Sequence, residues 1–453
     1  MHINQLTQWD GEVNRRDYLL WGVILFAVKY NLDRVIGIFM GRNWFIWDYF
    51  FQADRLSVLE LNDTDRTFYL TLLFCSLPFI WVGTVVCVKR LRNAGLPTWL
   101  VIFFFIPFVN LLLFLLLAAI PARDGHTGKR VAFLDRLIPK SITGSAMFAV
   151  GIVSAASLLL TVVLINYLND YGWGVFVGIP FFLGFGSVLL YGHNRHIKFK
   201  DAMTVSLLAI SFFSLVIFLL AFEGLICIAM AFPIFLVVAF IGATIGFAIT
   251  NNRPTVSLNI FAVPIIALPL AGMIEHQIDR TPPTVKVVTT ITINATKQDV
   301  WNEVVAFSEI DEPTELLFKT GIAYPTHAEI DRTGVGAIRK CNFTTGCFVE
   351  PITVWDEPHL LEFSVLDQPP PMLEWSIYNN LDIPHLDGYF KSVKGQFKLE
   401  ELPNGQTLLI GTTWYHHNVW PTSYWKLWSD FILHNIHMRV LRHIKRVVEE
   451  GGV

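Results

Sequence analysis

The chain carries two patterns of hydrophobic and polar positions, and one replaces the other near residue 280. Upstream, eight apolar stretches approach or reach the roughly 20 residues that a membrane-spanning helix needs. They run over residues 18–40, 68–88, 97–120, 143–167, 173–191, 202–222, 225–249 and 256–274. This pattern predicts a multi-pass α-helical membrane region with about eight apolar segments.

Two of these stretches depart from a simple span. The first contains Lys29, Asp33 and Arg34, so we expect it to be shorter, tilted or partly interfacial. The third is interrupted at Ile106-Pro107-Phe108, which allows either a full crossing or a re-entrant path.

Basic residues bear on orientation, because cytoplasmic loops of membrane proteins carry an excess of Lys and Arg. They cluster at Arg15 and Arg16, at residues 89–92, at residues 123–140 and at residues 195–200. If all eight stretches cross, the loops after the third and fifth stretches face outward with their positive charge. If the third re-enters, every basic loop is cytoplasmic and the C-terminal part lies outside. Both topologies remain open at this point.

Beyond Thr281-Pro282-Pro283 the pattern is that of a soluble α+β domain, since two prolines disfavour continuing the last helix. Alternating positions predict strands over residues 286–294, 325–332, 335–343, 347–355, 359–366, 388–401 and 406–417. The last two are joined at Pro403-Asn404-Gly405, a strong hairpin signal. Thr296 is placed to cap a short helix, and a long amphipathic helix is predicted from Thr422 to about Val448.

Composition supports the membrane interpretation and excludes one class of partner. Of 453 residues, 53% are hydrophobic and 16% are charged, against roughly 25% charged in soluble domains. The mean hydropathy is +0.49. The net charge of -3 gives no reason to expect nucleic acid, which would require a basic face. The five cysteines form no closely spaced pairs of the kind that bind metals, and we expect no cofactor.

The N-terminal part resembles a family of small bacterial inner-membrane proteins, the domain of unknown function 805, over residues 9 to 130. The resemblance is carried by Gly11 to Tyr18, by Arg90-Leu91-Arg92-Asn93-Ala94-Gly95 and by Trp99. Glu12 stands where that family has Arg, and Leu19 where it has Trp. The family brings no known activity. Physically, Arg15, Arg16, Tyr18 and Trp21 suffice as an interfacial anchor and topology signal.

The C-terminal part resembles the helix-grip fold of the SRPBCC superfamily, which includes START lipid-transfer domains and polyketide cyclases. The resemblance covers residues 284 to 449 and is carried by residues 296–301, 354–358 and 407–448. Residues 346–358 and 411–415 look like bacterial SRPBCC proteins that carry their own membrane spans. The resemblance to the helix-grip fold implies a curved antiparallel sheet around a long C-terminal helix, with an elongated cavity for an apolar or amphipathic ligand. We therefore predict three domains, at 1–130, 140–276 and 284–449.

Strand alternation places two charges on the apolar, inward side of the predicted sheet. Arg339 shares a face with Cys341, and Glu350 shares one with Phe348 and Ile352. Adjacent hairpin strands would bring the two charges together, either as a buried structural pair or as a polar handle for a ligand head group. The same alternation points Cys341 inward and Cys347 outward, so no disulfide is expected between them.

Histidines provide a second constellation on the last helix. One helix face carries Asp430, His434 and His437, and His416 lies on the preceding strand. Two imidazoles and a carboxylate could bind a transition metal, with His416 as a fourth ligand, but the signal for such a site is weak. A polar edge or a ligand contact is the simpler interpretation. Aromatic and apolar positions complete the candidate cavity lining, namely Phe348, Ile352, Phe363, Tyr389, Trp414 and Trp428.

Two functional classes follow from these features. The first is a membrane-tethered binding module for a lipid or other hydrophobic small molecule, working in a bacterial inner membrane as the family resemblance implies. The alternative is an enzyme of the cyclase or hydrolase type acting on such a ligand, with Glu350, His416, His434 or His437 as acid or base. We expect binding rather than catalysis. A fold alone does not determine activity.

Overall fold

A computed structural model describes residues 6–46, 48–51, 63–123, 136–168, 171–193, 195–252, 258–276, 284–378 and 390–451. The chain divides into two compact units. Unit 1 comprises Met1–Val216 and Phe232–Asp279, and unit 2 comprises Ile217–Ala231 and Arg280–Val453. The predicted boundary at Thr281-Pro282-Pro283 lies outside the described residues.

The first part of unit 1 is helical. Helix α1 is Arg15–Phe39, α2 is Asp48–Phe51 and α3 is Asp63–Asn93. A 3-10 segment, Thr98–Phe105, and helix α4, Val109–Ala119, follow. The Asn14 side chain caps α1 by accepting from the Asp17 amide at 2.9 Å, which satisfies one of the free amides of the first turn.

The remaining helices of the membrane region follow in order. Helix α5 is Ile142–Val162 and continues through a π turn, Val163–Tyr167. A second π turn, Gly174–Gly178, leads into α6, Ile179–Tyr191. Helices α7, α8 and α9 are Phe199–Leu219, Leu225–Asn252 and Leu258–His276.

Glycines bring α6 and α8 close together within unit 1. A Cβ atom on Gly184 would lie 1.9 Å from the Ala239 carbonyl oxygen, and one on Gly242 would lie 2.3 Å from the Phe181 carbonyl oxygen. Only a residue without a side chain permits that approach, as is typical of helix packing in membranes. Gly242 and Gly246 of α8 thus allow tight packing against α6.

The predicted number of about eight spans is corrected by the structure. Among the described residues, five helices are long and apolar enough to cross a membrane: Asp65–Asn93, Ile142–Ile165, Gly174–Tyr191, Phe199–Leu219 and Leu225–Asn252. The first stretch fails because α1 carries Lys29, Asp33 and Arg34 in its length. The eighth yields only a shorter apolar helix, and so does the third.

The third apolar stretch bends back within unit 1. The chain reverses at Phe108, whose φ of 64° is left-handed and therefore unusual for a non-glycine residue. Helix α4 then returns, and the Arg123 amide donates to the Asn93 carbonyl oxygen at 2.7 Å. The buried Arg90 guanidinium donates to the carbonyl oxygen of Leu117 at 2.9 Å and also to that of Ile120. The end of α3 thus meets the end of α4.

The C-terminal domain is a seven-stranded antiparallel sheet. Its strands are β1 Val285–Ile293, β2 Pro325–Ile330, β3 Ile338–Phe343, β4 Gly346–Asp356, β5 Leu360–Ser364, β6 Phe390–Glu401 and β7 Thr407–His417. They are ordered β1-β7-β6-β5-β4-β3-β2. All seven predicted strands are found, and the turn at Pro403-Asn404-Gly405 joins β6 to β7 as expected, with Gly405 at φ 78°.

The described residues of this domain also form helices α10 Lys297–Val305, α11 Leu316–Lys319 and α12 Thr422–Glu450. Thr296 caps α10, its hydroxyl accepting from the Asp299 amide at 3.3 Å. Helix α12 packs on β1 and β7. The predicted fold class, a helical membrane region followed by a helix-grip domain, is confirmed in its architecture.

The main core of the domain uses only the C-terminal half of α12. Val440, Leu441 and Ile444 pack there against Trp301 of α10 and the inner face of the sheet. A second, smaller cluster of Val287, Tyr415 and Leu433 lies at the N-terminal half of the helix. The C-terminal half of α12 therefore packs in the main apolar core, and its N-terminal half packs on the sheet through a separate, smaller cluster.

Candidate functional site

Arg339 and Glu350 lie directly opposite each other on β3 and β4. One guanidinium nitrogen, Nη1, donates to the Glu350 carboxylate, and Nε donates to the Val305 carbonyl oxygen at 3.1 Å. Both residues are buried, at 1% and 6% exposure. The structure therefore brings together the two inward charges that strand alternation predicted.

Aromatic rings enclose the Arg339 guanidinium. Its central carbon lies 5.5, 5.3 and 5.8 Å from the ring centroids of Phe307, Phe363 and Phe397. Such cation–π contacts strengthen when water is excluded. Burial raises the pKa of the Glu350 carboxyl, and the neighbouring guanidinium opposes that rise. The pair has the surroundings of a structural ion pair inside the core.

A second polar group joins α12 to the strands that face it. The Thr289 hydroxyl lies 3.0 Å from His434 Nδ1 and 3.1 Å from His437 Nδ1, and the Thr413 hydroxyl lies 2.7 Å from His437 Nε2. We call Thr289, Thr413, His434 and His437 the imidazole cluster. Above it, the Tyr415 hydroxyl donates to Asp430 at 2.7 Å.

Burial sets the charge of the imidazole cluster. It lowers the pKa of His437 to about 4, and the nearby His434 adds to that effect. Both ring nitrogens of His437 are hydrogen-bonded to hydroxyls, so a neutral ring can donate at one and accept at the other. Burial and the Asp430 carboxylate raise the pKa of Tyr415. The His437 ring is thus neutral at physiological pH and is surrounded by hydrogen-bonding groups.

Two candidate lining residues face the wrong side of the sheet. Because Thr413 and Tyr415 contact α12, their neighbours Trp414 and His416 point to the opposite face. There the Lys394 ammonium lies 4.7 Å from the Trp414 ring centroid. These two candidates therefore lie on the face of β7 opposite α12.

The other candidate lining residues differ in how deeply they are buried. Ile352 and Phe363 are buried in the core, and Phe348 is partly buried, with its ring centroid 4.7 Å from that of Phe343. Trp428 is half-buried on α12, and Tyr389 lies outside the described residues. The role of these residues as a ligand lining stays a prediction.

The suggested metal ligands have other partners. Asp430 is engaged by the Tyr415 hydroxyl and by the Lys426 ammonium, whereas His434 and His437 are engaged by threonine hydroxyls. Across the described ranges, no group of three or more His, Cys, Asp or Glu side chains is arranged to hold a metal ion. Glu350 is likewise occupied by Arg339.

One contact region was missed from the sequence. Glu374 accepts from the amides of Ile226 and Cys227 at 3.0 Å each, which joins the domain to the first turn of α8 inside unit 2. The alternation of Leu373, Trp375 and Ile377 after three prolines is the sequence signal that could have indicated it.

Comparison with known families identifies the N-terminal part. Residues 6–128 match the family described as Protein of unknown function (DUF805), which confirms the resemblance found there. No curated protein matches the chain.

Solved structures are similar at low identity. Norcoclaurine synthase from Thalictrum flavum, in complex with dopamine and hydroxybenzaldehyde, is 16% identical, with 39% of this chain and 96% of that chain covered and a TM-score of 0.26. The Aha1 dimer from Colwellia psychrerythraea is 18% identical, with 37% and 98% covered and a TM-score of 0.22.

Proposed function

We propose that the protein is a membrane-tethered module that binds a lipid or other hydrophobic small molecule between the sheet and α12 of its C-terminal domain. The family resemblance of the N-terminal part supports a place in a bacterial inner membrane. Apolar helices long enough to cross a bilayer support the tether.

The observation that carries the proposal is the mixture of apolar and polar side chains between the sheet and the N-terminal half of α12. The main apolar core ends near Val440, and the smaller cluster around Leu433 is separate from it. The imidazole cluster occupies the same helix–sheet face. Binding sites for amphipathic molecules combine apolar walls with a few directed polar groups, and this face has both.

The position of that face favours a ligand taken from the membrane. Tyr424, two residues into α12, donates through its hydroxyl to the Met230 carbonyl oxygen of α8. The N-terminal half of α12 therefore lies near the first turns of an apolar helix. A lipid leaving the bilayer there would reach the imidazole cluster before the closed core.

Photo-crosslinking tests this assignment. The full chain is placed in nanodiscs that contain a phosphatidylcholine with a diazirine in its acyl chain, and adducts are mapped by peptide mass spectrometry. We expect adducts on β1, β7 and the first half of α12. Thr413→Trp, which fills the helix-facing side of β7, should remove them.

The matched control lies on the same strand. His416→Trp adds the same bulk to the opposite face of β7 and should leave the adducts unchanged. If Thr413→Trp disturbs folding, seen as loss of amide protection in β7, the smaller Thr413→Leu replaces it. Adducts confined to the membrane helices, or equal in both variants, would reject the proposed site.

A further inference from the structure

We call residues 371–378 of the C-terminal domain the strip. It is hydrogen-bonded to the ends of two apolar helices, and these ends, like the strip, belong to unit 2. The Leu225 amide donates to the Trp375 carbonyl oxygen at 2.9 Å, and the Tyr378 hydroxyl donates to the Leu219 carbonyl oxygen at 2.7 Å. Leu219 ends α7 and Leu225 begins α8, and both helices are long enough to cross a bilayer. The strip therefore lies at the depth where these helices leave the hydrocarbon.

Glu374 fixes the strip to α8. Its two carboxylate oxygens accept from the Ile226 and Cys227 amides, which have no partner within the helix, and its charge is favourable at a helix N-terminus. The fit is close, since a Cβ atom on Gly224 would lie 2.1 Å from Glu374 Oε2.

The strip is equally well attached to the domain. The Leu373 amide donates to the Gly321 carbonyl oxygen at 2.8 Å, and the Ala323 amide donates to that of Pro371 at 3.0 Å. A Cβ atom on Gly321 would lie 2.2 Å from the Leu373 carbonyl oxygen. The strip is thus hydrogen-bonded to the segment that leads into β2.

Apolar side chains of the strip are nevertheless exposed. Leu373, Trp375, Ile377 and Tyr378 are 60%, 58%, 60% and 48% exposed. Exposed contiguous apolar side chains next to span ends call for a partner, and Trp and Tyr are the residues enriched at membrane–water interfaces.

Helix α12 adds to the same surface. Leu427 and Phe431 stand three and seven positions after Tyr424, hence on its face of the helix, and they are 69% and 52% exposed. Tyr424 itself reaches the Met230 carbonyl oxygen of α8. A second element therefore presents apolar side chains beside the same span.

We propose that Leu373, Trp375, Ile377, Tyr378, Leu427 and Phe431 form an interfacial rim that rests in the head-group region of the bilayer. The occupant of this surface is the lipid interface, because the rim continues the ends of α7 and α8 and contains interfacial aromatics. The inference rests on the membrane tether of the proposed function and not on any bound ligand.

Fluorescence quenching tests the rim in the full chain. The five native cysteines are replaced by serine or alanine, Ile377→Cys or Leu427→Cys is labelled with an environment-sensitive dye, and the protein is placed in phosphatidylcholine vesicles with doxyl-labelled lipid. We expect a blue shift and loss of fluorescence at both positions. Asn404→Cys, in the turn at the far end of β6 and β7, should show neither.

Equal, unquenched spectra at Ile377→Cys, Leu427→Cys and Asn404→Cys would overturn the rim. Folding of each labelled protein is checked by the amide protection of β6 and β7. If the dyes at Ile377→Cys and Leu427→Cys are quenched but no photo-crosslinked adducts form on β1, β7 or α12, only the ligand site is rejected. The two proposals therefore fail separately.

A different observation indicates which membrane face carries the rim. Because Arg123 is hydrogen-bonded to Asn93, the third apolar stretch leaves and returns at one place. We infer that it is re-entrant. The basic residues on either side of it, 89–92 and 123–140, then share a face, as the positive-inside rule requires.

The same rule orients unit 2. The segment before α7 carries Arg195 and Lys198, and the first turn of α7 carries Lys200, whereas the turn between α7 and α8, residues 220–224, contains no Lys or Arg. Since α7 crosses between them, the turn lies on the non-cytoplasmic face. The strip is hydrogen-bonded to the residues that flank this turn, so the C-terminal domain lies on that face too. Since α8 returns the chain to the cytoplasmic face, α9 must cross once more, and its 19 residues reach about 28 Å at 1.5 Å per residue.

Accessibility in spheroplasts tests this face with a matched pair of sites. Asn404→Cys should react with a membrane-impermeant maleimide in intact spheroplasts, and Lys198→Cys should react only after lysis. The reverse pattern, or protection of both sites until lysis, would place the domain in the cytoplasm and overturn the inference.

Discussion

The buried ion pair of Arg339 and Glu350 joins β3 to β4 inside the core of the C-terminal domain. The opposition of Arg339 and Glu350 followed from the period of two along β3 and β4, and the structure has it. Phe363 was a predicted lining residue, but its position with Phe307 and Phe397 around the guanidinium could not be predicted, because the three rings come from a loop and two other strands. Side-chain periodicity predicts a face, and tertiary packing decides what covers it.

Removing one partner of this pair should be costly. Glu350→Ala leaves a buried guanidinium without its carboxylate, and we expect a loss of about 3 to 5 kcal/mol in the stability of β3 and β4. Replacing both residues, as Arg339→Met with Glu350→Leu, should recover much of the loss. Native-state hydrogen exchange of the full chain measures both.

The pair of Lys394 and Glu362, partly exposed and with nitrogen and oxygen 2.6 Å apart, serves as the control. Glu362→Ala should cost no more than about 1 kcal/mol, since such pairs are screened by water. Similar losses for Glu350→Ala and Glu362→Ala would contradict a buried structural pair. Loss of retained lipid without loss of stability in Glu350→Ala would instead favour a head-group handle.

His437 should make the domain sensitive to acid. Its pKa is lowered to about 4 by burial, so below the ordinary value of 6.5 the unfolded chain takes up a proton that the folded one does not. The contribution of His437 to the free energy of unfolding is fully present above pH 6.5 and is lost as the pH decreases towards 4. The free energy of unfolding should therefore fall by about 2 kcal/mol between pH 7 and pH 5.

Thermal melts of the full chain at pH 5, 6 and 7, followed by near-ultraviolet circular dichroism, measure this dependence. His437→Gln should flatten it, whereas His327→Gln, at an exposed position, should leave it as it is. An unchanged slope in His437→Gln would show that the imidazole is accessible to water in the folded state.

At the scale of elements, the strands and the capped helix were predictable because alternation, turn residues and caps act locally. Each strand begins and ends within a few residues of its expected place. The bulge between Ile352 and Val354 was not predictable, and it shifts the later part of β4 by one position. Trp355 consequently faces the core, its ring centroid 5.5 Å from that of Trp301.

The cap of α8 by Glu374 is a link between elements that can be weakened selectively. Glu374→Ala frees the Ile226 and Cys227 amides and should destabilise the first turn of α8 by about 1 kcal/mol, or about fivefold faster amide exchange. Glu374→Gln keeps one of the two acceptors and should have an intermediate effect. Unchanged exchange in Glu374→Ala would mean that the domain does not cap this helix.

At the scale of the whole molecule, the two-part architecture was visible in the sequence, but the number of spans was not. Hydropathy alone counted α1, the third stretch and the eighth, whereas the charges in α1, the reversal at Phe108 and the shortness of α9 leave five described helices that are long and apolar enough to cross. The ion pair of Lys29 with Asp33 is a local contact within α1, and the return of the chain to Asn93 is a tertiary contact; hydropathy contains neither.

Residues 284 to 449, expressed alone, should fold as a monomer, because the sheet and its core are complete within them. The interfacial rim would then be free, so the fragment should also float with phosphatidylcholine vesicles. Circular dichroism, gel filtration and flotation check these outcomes. A fragment that is unfolded would show that the segment 217–231 is required for the domain.

The binding of a membrane-derived ligand is tested most directly by the lipid that the protein keeps. The full chain is purified and exchanged into nanodiscs of diphytanoyl phosphatidylcholine, a lipid foreign to the expression host, and the retained host lipid is extracted and identified by mass spectrometry. We predict a defined host species at about one molecule per chain, lost in Thr413→Trp and kept in His416→Trp. Recovery of the foreign lipid alone, or the same mixed host lipids in all three proteins, would contradict a binding site between the sheet and α12.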